Sequence, residues 1–125
     1  MFECRVAAEG AILVVEDEPL LRLMAVDLVE AAGYDVLDCA DADEAIRIIE
    51  SRPDIRVVFT DIDMPGSMNG MKLAAAIRRR WPPIGLILTS GHYERADVEL
   101  PARGLFFPKP YLGSEVIDAL RRMAA

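Results

Sequence analysis

A chain of 125 residues with 53% hydrophobic content has enough material for one compact domain with a real core, and little for a second. A net charge of −7 excludes a dedicated nucleic-acid surface, which needs clustered Lys and Arg, and suits a site that gathers cations. No apolar run approaches the roughly 20 residues of a membrane span, and Met1-Phe2-Glu3-Cys4-Arg5 lacks the basic and apolar segments of a signal peptide, so a cytoplasmic chain is expected.

Ala11-Ile12-Leu13-Val14-Val15 reads as the first strand. Glu18-Pro19 opens a helix whose Leu21, Met24, Ala25, Leu28 and Ala32 share one face, and Gly33 stops it. A weaker strand covers Tyr34 to Cys39. Asp41 then caps a helix with Ala42, Ala45, Ile46 and Ile49 inward, ending before Pro53. Ile55 to Thr60 is the third strand, and the loop from Asp61 to Ser67 leads to Asn69, the N-cap of a helix burying Leu73, Ala74, Ile77 and Trp81. Pro82-Pro83 ends that helix. Ile84 to Leu88 and Gly104 to Phe107 form the last two strands, and Ser114 to Met123 closes the chain as a helix with Val116, Ile117, Leu120 and Met123 inward. Strand-length apolar runs alternating with amphipathic helices predict a doubly wound α/β fold, a five-stranded parallel sheet with about five helices covering both faces.

The polar residues fall at one edge of that sheet. Glu16 and Asp17 follow strand one, Asp61 follows strand three, Thr89 and Ser90 follow strand four, and Lys109 follows strand five. The C-terminal edge of an open parallel sheet is where ligands bind, and a strand order of 2-1-3-4-5 brings strands one and three side by side there. Glu16, Asp17 and Asp61 then converge. Taken singly, each carboxylate reads as a helix cap. Together they repel by a few kcal/mol per pair at an effective dielectric near 20, which calls for a proton or a cation. Oxygen-only ligands favour Mg²⁺, or Mn²⁺, over zinc or copper. Lys109, within Phe107-Pro108-Lys109-Pro110, has its backbone restricted on both sides.

Val14-Val15-Glu16-Asp17-Glu18, Phe59-Thr60-Asp61-Ile62-Asp63-Met64-Pro65, Leu88-Thr89-Ser90 and Pro108-Lys109-Pro110 together resemble the receiver domain of two-component response regulators, over nearly the whole chain. The resemblance implies a flavodoxin-like receiver fold over residues 10–125, after an N-terminal extension at 1–9, of the stand-alone type without an output domain. It implies that Asp61 accepts a phosphoryl group from a sensor histidine kinase or histidine phosphotransfer protein. Mg²⁺ is then held by Asp17, Asp61 and the backbone carbonyl of Asp63, with Glu16 reaching it through water. Lys109 pairs with the phosphoryl oxygens, and Thr89 swings in to hydrogen-bond one of them while Phe106 turns inward. Such a domain catalyses only its own phosphorylation and dephosphorylation. Its output is binding to a downstream protein, without direct contact to nucleic acid or membrane, as a monomer or weak dimer.

The departures from the family pattern are local. Gly66-Ser67-Met68-Asn69-Gly70 is one residue longer than the common form. Between His92 and Arg103, where the family places a regular fourth helix, Tyr93, Ala96, Val98 and Leu100 make a poor pattern interrupted by Pro101, so that helix is expected to be short or irregular. His92 and the Asp63 side chain read as solvated loop groups, Cys4 and Cys39 as reduced thiols, Met64, Met68 and Met71 as packing residues, and Arg78-Arg79-Arg80 as charge complementing a helix C-terminus. Two other readings compete. Val57 to Asp63 also resembles the aspartate-x-aspartate strand of haloacid dehalogenase-type phosphatases, although the accessory acids Glu16-Asp17 precede it. A receiver-like binding module that is never phosphorylated keeps the fold without the chemistry, against which stands the intact set Asp17, Asp61, Thr89 and Lys109.

Overall fold

Strands covered by helices on both faces have no face to offer to water, and they lie in the middle of the sheet. In the computed structural model, which describes residues 10–66 and 68–124, β1 (Ala11–Val15) and β4 (Gly85–Ser90) are buried at every position, and β3 (Ile55–Asp61) at every position but Arg56. They form the centre of a five-stranded parallel sheet of order β2-β1-β3-β4-β5. The less buried β2 (Asp35–Cys39) and β5 (Gly104–Pro108) take the edges. The register aligns Val15 with Thr60, Asp61 with Thr89 and Ser90 with Pro108, so the strand ends meet along one rim.

Alternate side chains of the sheet build two core layers. Leu13, Val15, Val58, Leu86 and Leu88 face α2 (Ala42–Ser51) and α3 (Gly70–Arg80). Ile12, Val14, Phe59 and Ile87 face α1 (Pro19–Ala31) and α4 (Gly113–Ala124). Asp41 accepts from the Glu44 amide and Asn69 from Lys72, the two caps the sequence predicts, and Glu18 at the start of α1 accepts from the Leu20 and Leu21 amides. Each satisfies amides that a helix N-terminus leaves without intrahelical partners. Gly70 starts α3 directly against the Asp61 backbone, where a Cβ would collide with the Asp61 carbonyl oxygen, and its amide donates to the Ile62 carbonyl at 3.0 Å.

Several expectations need correction. The inward residues of α1 are Ala25 and Val29, while Leu21 and Met24 are 39% and 58% exposed. Every residue of α1 except Pro19, Arg22, Asp27 and Glu30 is apolar, so helical periodicity offered no unique face. Ile84 precedes β4, and Thr89 and Ser90 are its last residues rather than its successors. Trp81 caps α3 and is only partly buried. Four α-helices are present among the described residues, not five. Between β4 and β5 there is a single 3-10 turn, Arg95–Asp97, as the weak apolar pattern and Pro101 suggested. Cys4, Ser67 and the extension at 1–9 lie outside the described residues.

Candidate functional site

The rim of the sheet delivers five side chains to one place. Glu16 leaves β1, Asp61 ends β3, Thr89 and Ser90 end β4, and Lys109 follows β5. Hydrogen bonds continue the ladder past the strands: the Glu16 amide donates to Cys39 O at 3.1 Å, Ile62 to Thr89 O at 2.8 Å and Lys109 to Ser90 O at 2.8 Å. The functional groups are therefore tied into the hydrogen-bonded ladder of the sheet. The Lys109–Pro110 peptide is cis.

Carboxylate oxygens of Glu16, Asp17 and Asp61 lie within 4.8 Å of one another. Glu16 is 6% exposed and Asp61 only 4%. The Lys109 ammonium stands 3.3 Å from Glu16 Oε1, to which it donates, and 3.3 Å from Asp61 Oδ1. The second contact is an ion pair without hydrogen-bond alignment, and Asp61 Oδ1 accepts no hydrogen bond. The buried Thr89 hydroxyl likewise has no partner. Two orphaned polar atoms on adjacent strands are unusual, because buried polar groups are nearly always paired.

Electrostatics follow from that geometry. Burial raises the Asp61 pKa above the ordinary aspartate value, and Lys109 only partly opposes this. Burial raises that of Glu16, and the charge of Asp61 adds to it against the Glu18 amide and Lys109. Burial works against the Lys109 charge, yet Asp61 and Glu16 together hold its pKa above the usual lysine range. One ammonium thus compensates three acids incompletely. An all-oxygen donor set with surplus negative charge fits a hard divalent cation.

Asp63 is not the solvated acid that the sequence suggests. The Ser90 hydroxyl donates to its Oδ2 at 2.5 Å, and His92 Nδ1 is 3.2 Å away. Ser90 Oγ in turn accepts the His92 and Tyr93 amides, each at 2.9 Å. These bonds clamp the loop after β3 to the loop after β4, and Ser90 and His92 lower the Asp63 pKa despite its partial burial. Sequence reasoning missed the clamp. Its only signal was a hydroxyl residue beside Thr89 and an extra acid after Asp61, which no local pattern joins. The His92 side chain, 83% exposed, is otherwise solvated as expected. Phe106 is already inward, 1% exposed against the β4 side of the core, with the Arg95 guanidinium 5.9 Å from its ring centroid.

Residues 12–105 match the family model of the response regulator receiver domain. The chain belongs to the receiver domain family. Chemotaxis protein CheY of Thermotoga maritima is 33% identical, over 90% of this chain and 96% of its own length. Sensor kinase CckA of Brucella abortus is 30% identical over 94% of this chain, which spans 13% of that protein. A response regulator receiver protein from Sinorhizobium medicae, known from a crystal structure, superposes with a TM-score of 0.82 at 26% identity, covering 92% of this chain and 94% of that one.

Receiver domains are phosphorylation-dependent switches of two-component signalling rather than classical enzymes, and the acidic cluster Glu16, Asp17 and Asp61 fits a site for a divalent cation and a phosphoacceptor. The receiver match also explains the aspartate-x-aspartate stretch at the end of β3 without a phosphatase, since the accessory acids Glu16 and Asp17 directly follow β1. No helix among the described residues is long and apolar enough to cross a membrane.

Proposed function

We propose that this receiver domain accepts a phosphoryl group on Asp61, and that the observation carrying the assignment is the buried Asp61 Oδ1, which accepts no hydrogen bond although Lys109 lies 3.3 Å away. A carboxylate oxygen is a competent nucleophile toward phosphorus once its charge is screened. Asp61 attacks the phosphorus of a phosphohistidine, a P–O bond forms as the P–N bond breaks, and the leaving imidazole takes a proton from solvent. Lys109 Nζ compensates the negative charge at the phosphoryl oxygens from the position where it already meets Asp61 and Glu16.

Asp17 and Asp61 would hold Mg²⁺, or Mn²⁺, together with the Asp63 carbonyl, and Glu16 would act through water. When bound, the cation supplies neutralising charge to the carboxylates and the phosphoryl oxygens. The protein's own contribution is positioning: β1 and β3, adjacent in the sheet, fix the acids before any phosphodonor arrives. The same geometry catalyses both the domain's own phosphorylation and the hydrolytic loss of the phosphoryl group, and no other turnover is assigned to it.

The switch is Thr89. Its hydroxyl lacks a partner, and a phosphoryl group on Asp61 brings close to two negative charges and new acceptor oxygens to the neighbouring strand position. The Thr89 hydroxyl gains a partner only there, which favours the conformation that brings it closer. Phe106, paired with Leu88 across β4 and β5, feels any displacement of that strand end. The phosphodonor is a histidine kinase or histidine phosphotransfer protein. Leu20, Leu23 and Met24 on α1 and Leu112 before α4, each more than half exposed, form an apolar surface for it near the site. Output passes to a downstream protein.

The test is intact-mass spectrometry after incubation with Mg²⁺ and acetyl phosphate. One added phosphate is expected on the native chain and none on Asp61→Asn. An adduct retained in Asp61→Asn overturns the assignment.

A further inference from the structure

A second compartment adjoins the carboxylates. A cavity of about 470 Å³ opens between α1 and the segment that follows Lys109. This volume lies within the range of small-molecule sites. Val14 and Phe59 form its floor, Met24, Ala25 and Leu28 one wall, and Tyr111 another, with the Tyr111 ring edge-on to Phe59 at 5.7 Å between centroids. Ala25 is the smallest side chain on the α1 wall, and it is buried in the core layer on that face of the sheet. At its polar end the cavity is lined by Glu16, Asp61, Thr89 and Lys109.

Cavity and cation slot share Glu16 and Asp61, so one molecule can occupy both. Its polar end is dictated by the groups there. Asp61 Oδ1 and Thr89 Oγ1 are buried acceptors without hydrogen bonds. The three carboxylates of the slot outnumber the single Lys109 ammonium. A carboxylate or phosphate head would add negative charge to that surplus, and a neutral head would leave it uncompensated. A primary ammonium brings one positive charge and three donors. Its carbon body would replace water against apolar walls.

We propose that the cavity and the cation slot together bind small primary amines carrying an aryl or branched alkyl group, in competition with the divalent cation. The idea rests on the cation slot of the phosphoacceptor reading. An amine seated there would hold the domain in a form that cannot be phosphorylated, giving the switch a ligand input that needs no partner protein.

Calorimetric titration of Mg²⁺ into the protein, with phenethylamine or methylamine present, tests this. Phenethylamine should raise the apparent Mg²⁺ Kd in proportion to its concentration, and methylamine, which lacks the apolar body, should compete at least tenfold more weakly. Ala25→Leu, which fills the cavity away from the acids, should leave Mg²⁺ affinity unchanged and weaken phenethylamine competition at least tenfold. Equal effects of the two amines, an effect that saturates, or full competition in Ala25→Leu overturns the proposal. If that variant does not fold, the comparison of the two amines on the native chain decides alone. Failure of Mg²⁺ itself to bind would instead refute the phosphoacceptor reading, so the two failures are distinguishable.

Discussion

Replacing Asp61 by asparagine removes one of three carboxylates held within 4.8 Å of one another, while keeping the shape of the side chain. At an effective dielectric near 20, buried Glu16, within 4.8 Å, repels Asp61 by about 3.5 kcal/mol, Lys109 at 3.3 Å attracts it by about 5 kcal/mol, and the more exposed Asp17 repels it more weakly because solvent screens it. The repulsions and the attraction roughly cancel, so burial of the charge leaves a net cost of about 2 kcal/mol. Asp61→Asn should therefore stabilise the metal-free protein at neutral pH by about 2 kcal/mol, a Tm increase of roughly 6–10 °C for a domain of this size.

The pH dependence has a definite sign. Asp61 and Glu16 both have pKa values raised by burial, so the folded state binds protons that the unfolded state has released. Their contribution to stability is favourable below the unfolded carboxylate values, near 4, and is lost as pH rises through the folded values. The advantage of Asp61→Asn should thus be largest near neutrality and shrink as pH falls toward those values. Thermal unfolding by circular dichroism, in chelator and in saturating Mg²⁺, reads all of this. Mg²⁺ should raise the native Tm and leave the variant nearly unmoved. A variant that is less stable than the native chain in chelator refutes the electrostatic reasoning.

Lys109→Met leaves three acids without their ammonium, so the metal-free protein should lose about 2–3 kcal/mol in urea unfolding, and saturating Mg²⁺ should restore most of it. Thr89→Val removes a buried hydroxyl that has no partner. It should raise metal-free stability by about 1 kcal/mol and leave labelling of Asp61 intact, while abolishing the phosphorylation-dependent shifts of β4 and β5 in an amide NMR spectrum. Leu23→Ser, on the exposed face of α1, should change stability by less than about 0.5 kcal/mol and leave labelling by acetyl phosphate unaltered, yet slow transfer from a phosphohistidine protein at least tenfold.

The order of elements and the place of each acid were legible because they depend on one-dimensional signals. Apolar runs such as Ile12-Leu13-Val14-Val15 need both sheet faces covered, and a polar residue immediately after such a run has to emerge at the rim. Asp41 and Asn69 were legible as caps because the cap bond spans only three residues. The face of α1 was not, since apolar residues surround that helix and only the sheet decides which of them, Ala25 and Val29, turn inward. The clamp joining Asp63, Ser90 and His92 was not legible either, because it forms across two loops that the fold alone brings together. The cavity lined by Ala25 belongs to the same class of feature, because its walls come from β1, α1, β3 and the segment after Lys109, which only the fold brings together.

Reductive trapping at the acceptor tests the assignment most directly. After labelling with acetyl phosphate and Mg²⁺, borohydride reduces an aspartyl phosphate to homoserine, and peptide mass spectrometry locates the product. Homoserine at position 61 alone is expected. Unmodified Asp61 in protein that carries the phosphate, or homoserine at position 17 or 63, contradicts the proposed role of Asp61.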